Sequence, residues 1–404
     1  MFPPSSYMFY LNICLARTMK RLKLWGTLQY QWGDCVKRIV MTLSNPFKPD
    51  PRVYKEASSL VKAGYDVTII AWDREGKYPK IETINGIKIL RIHIRSCYGL
   101  PLCFIAGLFL FYLRSLFLLM KMDFDIIHTH DFDTAVLGVI IKKIKNNVWV
   151  YDVHDLYESM VKLVSGEKLA KIVGYLDSYF QKNADLIFTA SQKVKQVVQR
   201  NNKDVFVILN TVNPSYLKNL PKYPTFTIFY GGVLSGNRFL LEMLKIAERL
   251  GVTYRIAGKG WADVEEILKK QLGKNFLGFI PHEQIFVELE KAHLTFAIYD
   301  PRFENIRLSL PNKVFEAASV KTPILVSRGT ALAELVESMK IGWSVKYDEK
   351  DVENRVSFLL MNPKYLKKAG HRGHKIYLKK YTWNFVEQVL LTAYSKGVKS
   401  NASR

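Results

Sequence analysis

Cysteine is scarce in this chain: 404 residues include four, namely Cys14, Cys35, Cys97 and Cys103. None stands in a CxxC pair, so neither a zinc ribbon nor a thioredoxin-type site is on offer. A disulfide-stapled scaffold is excluded, and a reducing compartment is the simplest reading. Acidic residues are also few. Asp and Glu number 36 against 59 Lys and Arg, a formal net charge of +23. Yet no long block of like charge exists, and no basic stripe alternates with aromatics, which speaks against nucleic acid. The surplus still suits anionic partners, acidic lipid or phosphorylated small molecules among them. Hydrophobic residues make up 49% and charged residues 24%, which is globular composition and excludes wholesale disorder. At roughly 150 residues per domain, the length gives two or three domains.

The first residues do not read as a secretory signal either. Tyr7–Ala16 is apolar, but Arg17, Lys20, Arg21 and Lys23 follow that run instead of preceding it. Residues 1–36 therefore read as an N-terminal extension, either disordered or membrane-associating through a short amphipathic anchor, and Met19 is an alternative start. One long apolar run exists, residues 102–120, broken by Arg114 and Ser115. It is long enough to span a bilayer, which takes about 18 residues or more. Strand-like runs on both sides argue otherwise, because a spanning helix would split their sheet. The run is expected to be a buried helix, or one lying on the membrane with Arg91, Arg95, Arg114 and Lys121 facing anionic headgroups.

What is abundant is alternation. Short apolar runs at 37–43, 66–71, 87–94, 125–129, 147–153, 185–190 and 205–209 alternate with helical patterns. The helix from Pro51 is announced by Asp50 as N-cap and ended by Gly64. Residues 214–224 are Pro-rich and read as a linker. The alternation then restarts, with strands expected at 225–230, 253–257, 276–280, 294–298, 323–327 and 343–347 and a last amphipathic helix at 383–394. Continuous apolar strands alternating with helices indicate parallel sheets covered on both faces. The chain is thus α/β, with two doubly wound domains of similar size. Ligands of such sheets bind beyond the carboxyl ends of the strands.

Polar groups gather at those ends. His128-Thr-His130-Asp131 closes one strand and Tyr151-Asp152-Val153-His154-Asp155 the next. His128 is expected inside the sheet, and His130 and His154 on the rim with functional roles. A metal site is disfavoured, since no cysteine joins the histidines and their rings would have to converge. In the second half, Gly231-Gly232 follows a strand and lets backbone approach a ligand, and the next helix can aim amides at a diphosphate. Arg238 opens that helix and suits phosphate oxygens. Gly258-Lys259-Gly260 repeats the design. In Pro311-Asn312-Lys313-Val314-Phe315-Glu316, Asn312 is a helix N-cap, and Lys313 and Glu316 share one side of the first turn. Glu316 there is either a dipole partner or a carboxylate for the two ribose hydroxyls of a nucleotide.

These strings, with Ser44-Asn45-Pro-Phe-Lys-Pro-Asp-Pro-Arg52-Val-Tyr-Lys-Glu56, Asp185-Leu-Ile-Phe-Thr-Ala-Ser191, Asn210 and Tyr230-Gly-Gly-Val-Leu234, resemble the retaining GT-B glycosyltransferases of the glycosyltransferase family 4 kind. The resemblance covers residues 37–395. It implies two Rossmann-like domains facing a central cleft: an acceptor domain at 37–215 and a nucleotide-sugar domain at 216–378. A helix at 379–395 crosses back to the first domain, and 396–404 is a basic tail. It implies sugar transfer with retention and neither cofactor nor obligatory metal. On the donor side it points to Glu316 on the ribose and Arg238 on the diphosphate, with Gly231, Gly232, Gly258, Lys259, Asn312 and Lys313 around them. His130 matches the histidine near the reacting sugar. His154 or Asp155 would orient the acceptor hydroxyl, with Asn45 and Arg52 on the acceptor side. The chain departs from the family pattern at Leu308, where a second glutamate is usual, at Val233, where a basic residue is usual, and at Asn45-Pro46-Phe47, which replaces a glycine-rich loop.

The expected partners are a UDP- or GDP-sugar and a glycan or lipid-linked acceptor, with an anionic membrane surface meeting residues 102–120. The expected place is the cytoplasm, peripheral on the inner face of the membrane. The alternatives are a GT-B epimerase or soluble glycoside synthase, and a catalytically degenerate GT-B binding module.

Overall fold

A computed structural model describes residues 37–48, 50–96 and 101–402. The expectations for residues 1–36 lie outside the described residues. The first sheet has eight strands: β1 (Arg38–Leu43), β2 (Asp66–Asp73), β3 (Ile81–Ile84), β4 (Ile87–His93), β5 (Ile126–His130), β6 (Val148–Val153), β7 (Leu186–Thr189) and β8 (Val205–Val207). Their spatial order is β3-β4-β2-β1-β5-β6-β7-β8. The second sheet has β9 (Thr227–Gly231), β10 (Thr253–Ala257), β11 (Leu294–Ala297), β12 (Ile324–Ser327) and β13 (Gly342–Val345), in the order β10-β9-β11-β12-β13. Every pairing is parallel except β3 with β4. Strand order reverses between β1 and β5 and again between β9 and β11, so each sheet has its own switch point, where ligands of such sheets lodge.

The sequence dictates these elements locally. β1 is buried from Ile39 to Leu43, as a strand covered on both faces must be. The helix Pro51–Lys62 starts where Asp50 Oδ1 accepts the Val53 amide at 3.1 Å, with Pro51 in the first turn. Its Val53, Ala57 and Leu60 pack under the first sheet with Trp383, Val386 and Leu390 of the last helix, Trp383–Ala402. That helix thus returns from the second domain: Trp383 Nε1 donates to Ser59 Oγ at 2.9 Å, and Tyr394 OH meets His128 Nδ1 at 2.7 Å. It runs on to Ala402, through much of the segment read as a tail.

Helix Pro101–Lys121 is neither buried nor detached. It is long and apolar enough to cross a membrane by length and composition. It nevertheless lies along the other face of the first sheet, with Phe111 stacked on Trp72 at a centroid distance of 5.4 Å. Its outer face is exposed. Arg91, expected near headgroups, is buried and paired to Glu82 at 2.7 Å. Cys103 is disulfide-bonded.

Three further expectations change. β3 was not foreseen; it folds back onto β4 through Asn85-Gly86, both at positive φ, as a tight hairpin requires. Residues 276–280 form no strand: only Phe276 bridges to Ile256, and Gly278 turns the chain away. The helical pattern between β6 and β7 is not one helix but two, Tyr157–Ser165 and Glu167–Asn183.

Candidate functional site

At the carboxyl ends of β5 and β6 the first domain holds a dense ionic cluster. Arg52, 4% exposed, reaches from its helix and grips Asp152 with two bonds, Nε to Oδ2 at 2.8 Å and Nη2 to Oδ1 at 2.6 Å. Its Nη1 donates to the Ile208 carbonyl at 2.5 Å, and Glu56 lies one turn on, at 3.2 Å. Asp152 Oδ2 also faces His130 Nδ1 at 3.2 Å and His154 Nε2 at 2.7 Å. The other His154 nitrogen meets Asp131 at 3.2 Å. Burial works against charge throughout, but the partners prevail at most positions. Asp152 stays well below the usual carboxylate range, held there against burial by Arg52 and His154. Burial would discharge His154, but Asp131 and Asp152 raise it well above an ordinary histidine. Glu56 goes the other way: burial first, and Asp152 second, push it up to about 7.

Asp131 pays for its place in backbone geometry, with φ +63° and ψ 168°, a region that L-residues avoid at about 1–3 kcal/mol. The turn sets its carboxylate on His154, and its amide on the Asp152 carbonyl at 2.9 Å. His128 lies inside the sheet as expected, and burial drops it well below an ordinary histidine. His130 does not sit exposed on the rim. It is 2% exposed, because Asp152 and His154 close over it, and its Nε2 is left without a hydrogen-bond partner.

Glu56, His128, His130 and Asp152 offer donor atoms within 4.8 Å of one another. They suit one metal ion poorly. Arg52 already supplies the cation for both carboxylates. The two histidine rings lie 4.1 Å apart with planes tilted by 32°, and Tyr394 OH already meets His128 Nδ1.

Asp155 is placed apart from this cluster. It bonds Asn305 of the second domain, and burial raises its carboxyl. Asn45 bonds within its own loop, Nδ2 to Asp50 at 2.9 Å and Oδ1 to the Phe47 amide at 2.8 Å.

The second rim is built differently. Arg238 ends the turn Gly236–Arg238 after β9, with its guanidinium 4.5 Å from the Tyr299 ring centre and Nε 3.3 Å from Ser235 Oγ. Lys313 Nζ lies 4.3 Å from the Tyr230 ring centre, beside Gly232. Among the described residues no acidic side chain forms an ion pair with either cation. Burial brings Lys313 down to about 8; Glu316 resists that and Arg238 adds to it. Glu316 is itself engaged, accepting from His282 Nε2 at 3.1 Å. Burial pushes it up, but His282, Lys313 and Lys55 hold it below an ordinary glutamate. Lys55 stands between the two rims. It shares a helix with Arg52 and Glu56, it bonds Asn210 at 2.9 Å, and its charge acts on Glu316.

The glycine pairs serve the loops first. Gly232 N donates to Ala257 O at 2.9 Å and Leu234 N to Lys259 O at 3.1 Å, so the loops after β9 and β10 run side by side. A Cβ on Gly258 would meet the Gly232 oxygen at 1.8 Å; only glycine allows that approach. Gly231 continues β9, and Lys259 is exposed. Asn312 is not a side-chain cap. Its dihedrals are already helical, φ −57° and ψ −23°, and its side chain makes no capping bond. Leu308 packs against the first-domain core, and its carbonyl accepts from Ser191 Oγ at 2.7 Å.

Sequence reasoning did not single out Glu56, Asp152, Lys55 or His282. Two signals were available: the i,i+4 spacing of Arg52 and Glu56 on a helix, and the alternation that puts Asp152 and His154 on one face of β6.

Two Rossmann-like domains with a polar rim on each define the GT-B class. Residues 52–216 match the family described as Glycosyltransferase Family 4, and residues 237–391 match that described as Glycosyl transferase-like. The chain belongs to the GT-B glycosyltransferases of the family 4 kind. It is 24% identical over 378 residues to an uncharacterized glycosyltransferase of Methanocaldococcus jannaschii, covering 84% of this chain and 91% of that one. Sucrose-phosphate synthase from Thermosynechococcus elongatus is similar in fold, with a TM-score of 0.76 at 16% identity, over 90% of this chain and 100% of that one. So is HepE from Anabaena in complex with UDP-glucose, with a TM-score of 0.66 at 14% identity, over 89% and 99%.

Proposed function

We propose that this glycosyltransferase moves a sugar from a nucleoside-diphosphate donor to a hydroxyl acceptor with retention, on a lipid-linked or membrane-proximal glycan. One observation carries the donor assignment. Arg238 and Lys313 are half-buried, close enough for Arg238 to disfavour the charge on Lys313, and have no acidic ion-pair partner among the described residues. A diphosphate supplies the missing charge, and the same two cations stabilise it as it leaves. In this reading Glu316 takes the ribose hydroxyls. The His130 Nε2 atom, unpartnered and buried, is the group offered to the donor sugar, and His154 holds the proton-bearing side of the acceptor site. Structural neighbours that bind UDP and UDP-glucose favour a uridine donor, with GDP as the alternative. Likeness to a trehalose-6-phosphate synthase analysed for glycosyl transfer with retention supports the stereochemistry.

The membrane part rests on the outer face of helix Pro101–Lys121. Ile105, Phe109, Leu113, Phe117 and Met120 form one exposed stripe, and the helix contains no acidic residue. The helices Phe132–Lys145 and Glu167–Asn183 carry further exposed apolar residues, Ile144, Ile172 and Tyr175. Such a face seats at the lipid headgroup boundary. The face supports a peripheral membrane association, which we read as being on the cytoplasmic side.

The test is a thermal-shift titration with UDP, GDP, ADP, CMP and dTDP. A ligand at ~100 times its dissociation constant adds about 2.7 kcal/mol. Stabilisation by one nucleotide, lost in Glu316→Ala, is expected. A folded protein unmoved by any of them favours the second reading, a degenerate binding module, for which Leu308 packed away in the first domain is the supporting observation.

A further inference from the structure

Beside the apolar stripe lies a cavity of about 540 Å³ between β4 and helix Pro101–Lys121. Its lining is of two kinds: the apolar Leu113 and Phe117 of the stripe, and the basic Lys80, Arg91, His93 and Arg114. The cations are not equivalent. Arg91 is committed: Nε donates to Pro46 O at 2.9 Å, Nη1 to Pro79 O at 3.0 Å, and Glu82 lies 2.7 Å away. Its Nη2 is sealed from solvent without a hydrogen-bond partner. His93 is held by the Tyr78 carbonyl at 2.9 Å, with the Asp73 carboxylate at 3.5 Å. The acids near the cavity are thus occupied, Glu82 by Arg91 and Lys48, Asp73 by the loop amides of Gly76 and Tyr78. Lys80 and Arg114 are exposed, and their side chains make no hydrogen bond or ion pair among the described residues.

We propose that this cavity holds the phosphate of an anionic phospholipid whose chains lie against Leu113 and Phe117. A free phosphate would leave the apolar lining wet, and a neutral chain would leave two cations without a counter-charge. An amphiphile with an anionic head satisfies both kinds of lining. The inference rests on the membrane reading above and deepens it from a surface to a site. It does not depend on the nucleotide site, because none of these residues belongs to either rim.

The experiment is flotation of the full chain with phosphatidylcholine vesicles, with and without phosphatidylglycerol. Two variants are compared with the parent, Lys80→Gln with Arg114→Gln, and Phe109→Ser with Phe117→Ser, each checked for folding by circular dichroism. Each cation near an anionic surface is worth about fivefold in binding, so losing two should weaken anionic-vesicle binding roughly thirtyfold. Neutral-vesicle binding should stay at the parent level in the charge variant, and both kinds of binding should fall in the stripe variant. A charge variant that keeps the parent's preference for phosphatidylglycerol overturns the site while leaving the membrane reading standing. A parent that binds neither vesicle overturns both. Stabilisation of the parent by glycerol phosphate alone, lost in the charge variant and without any vesicle preference, shows a soluble phosphate site instead and also overturns the proposal.

Discussion

The two rims handle buried charge in opposite ways. In the first domain Arg52, Asp152, Glu56, Asp131 and His154 neutralise one another, each within 3.2 Å of an opposite partner. In the second domain Arg238 and Lys313 stand on aromatic rings at 4.5 and 4.3 Å, and each makes the other less comfortable. A cluster that closes on itself fixes geometry and needs nothing from outside. A pair of cations left open keeps charge to offer an anion. The contrast separates the rim that positions groups from the rim that binds charge, and stability measurements can test it directly.

The largest effect is expected at Asp152. Asp152→Ala strips Arg52 of its two-bonded partner inside the protein, which should destabilise the fold by about 3–5 kcal/mol. A urea midpoint measured for this variant and for Lys313→Met gives the comparison. Lys313→Met removes a cation that burial and Arg238 already disfavour, so its midpoint should hold or rise. Equal losses in the two variants would erase the distinction.

Catalysis should show the reverse order. Arg238→Ala is expected to lower kcat by about 10²–10³-fold, as for loss of a donor to developing charge, while the urea midpoint stays near the parent value. Turnover with the donor that the thermal shift selects reads this. A loss in KM alone would make Arg238 a ground-state contact.

A third test uses protons. Lys313 in the empty protein sits at about 8, below its ordinary 10.5. Between those values the unfolded chain carries a proton that the folded one lacks, so this lysine makes stability rise with pH across that window. A diphosphate restores the charged form. Nucleotide binding above pH 8 should therefore take up a proton, and affinity should fall as pH rises. Calorimetry in two buffers of different ionisation heat measures the uptake, which should vanish in Lys313→Met.

The alternation of strands and helices was legible because parallel strands are buried on both faces and leave unbroken apolar runs, as in β1 and β2. β3 was not, because its residues alternate between exposed and half-buried, and the Asn85-Gly86 signal was passed over. Phe276, Leu277 and Ile280 looked like a strand because they pack against the second core, which periodicity alone cannot tell from pairing. At the site, residue types at strand ends were readable. Their partners were not: Arg52 meets Asp152 across 100 positions, and Tyr394 meets His128 across 266. That is why His130 was expected in the open and lies enclosed. Lys313 and Glu316 were placed together by helix spacing alone, whereas His282 comes from another helix, 34 residues away from Glu316.

The smallest effect separates an acceptor contact from a structural one. Asn45 was assigned to the acceptor side, yet both ends of its amide are used locally. Its Oδ1 takes the amide of Phe47, a buried residue at φ +57°, and its Nδ2 steadies Asp50, which caps the helix that carries Arg52, Lys55 and Glu56. Asn45→Ala should then act through the cap, at about 1 kcal/mol or less, seen as a modest shift of the urea midpoint. The acceptor KM should stay unchanged, because the cluster that Arg52 builds is anchored independently by Asp152 and the Ile208 carbonyl. A raised acceptor KM with an unmoved midpoint would return Asn45 to the acceptor site and extend the binding role to the rim that otherwise only positions.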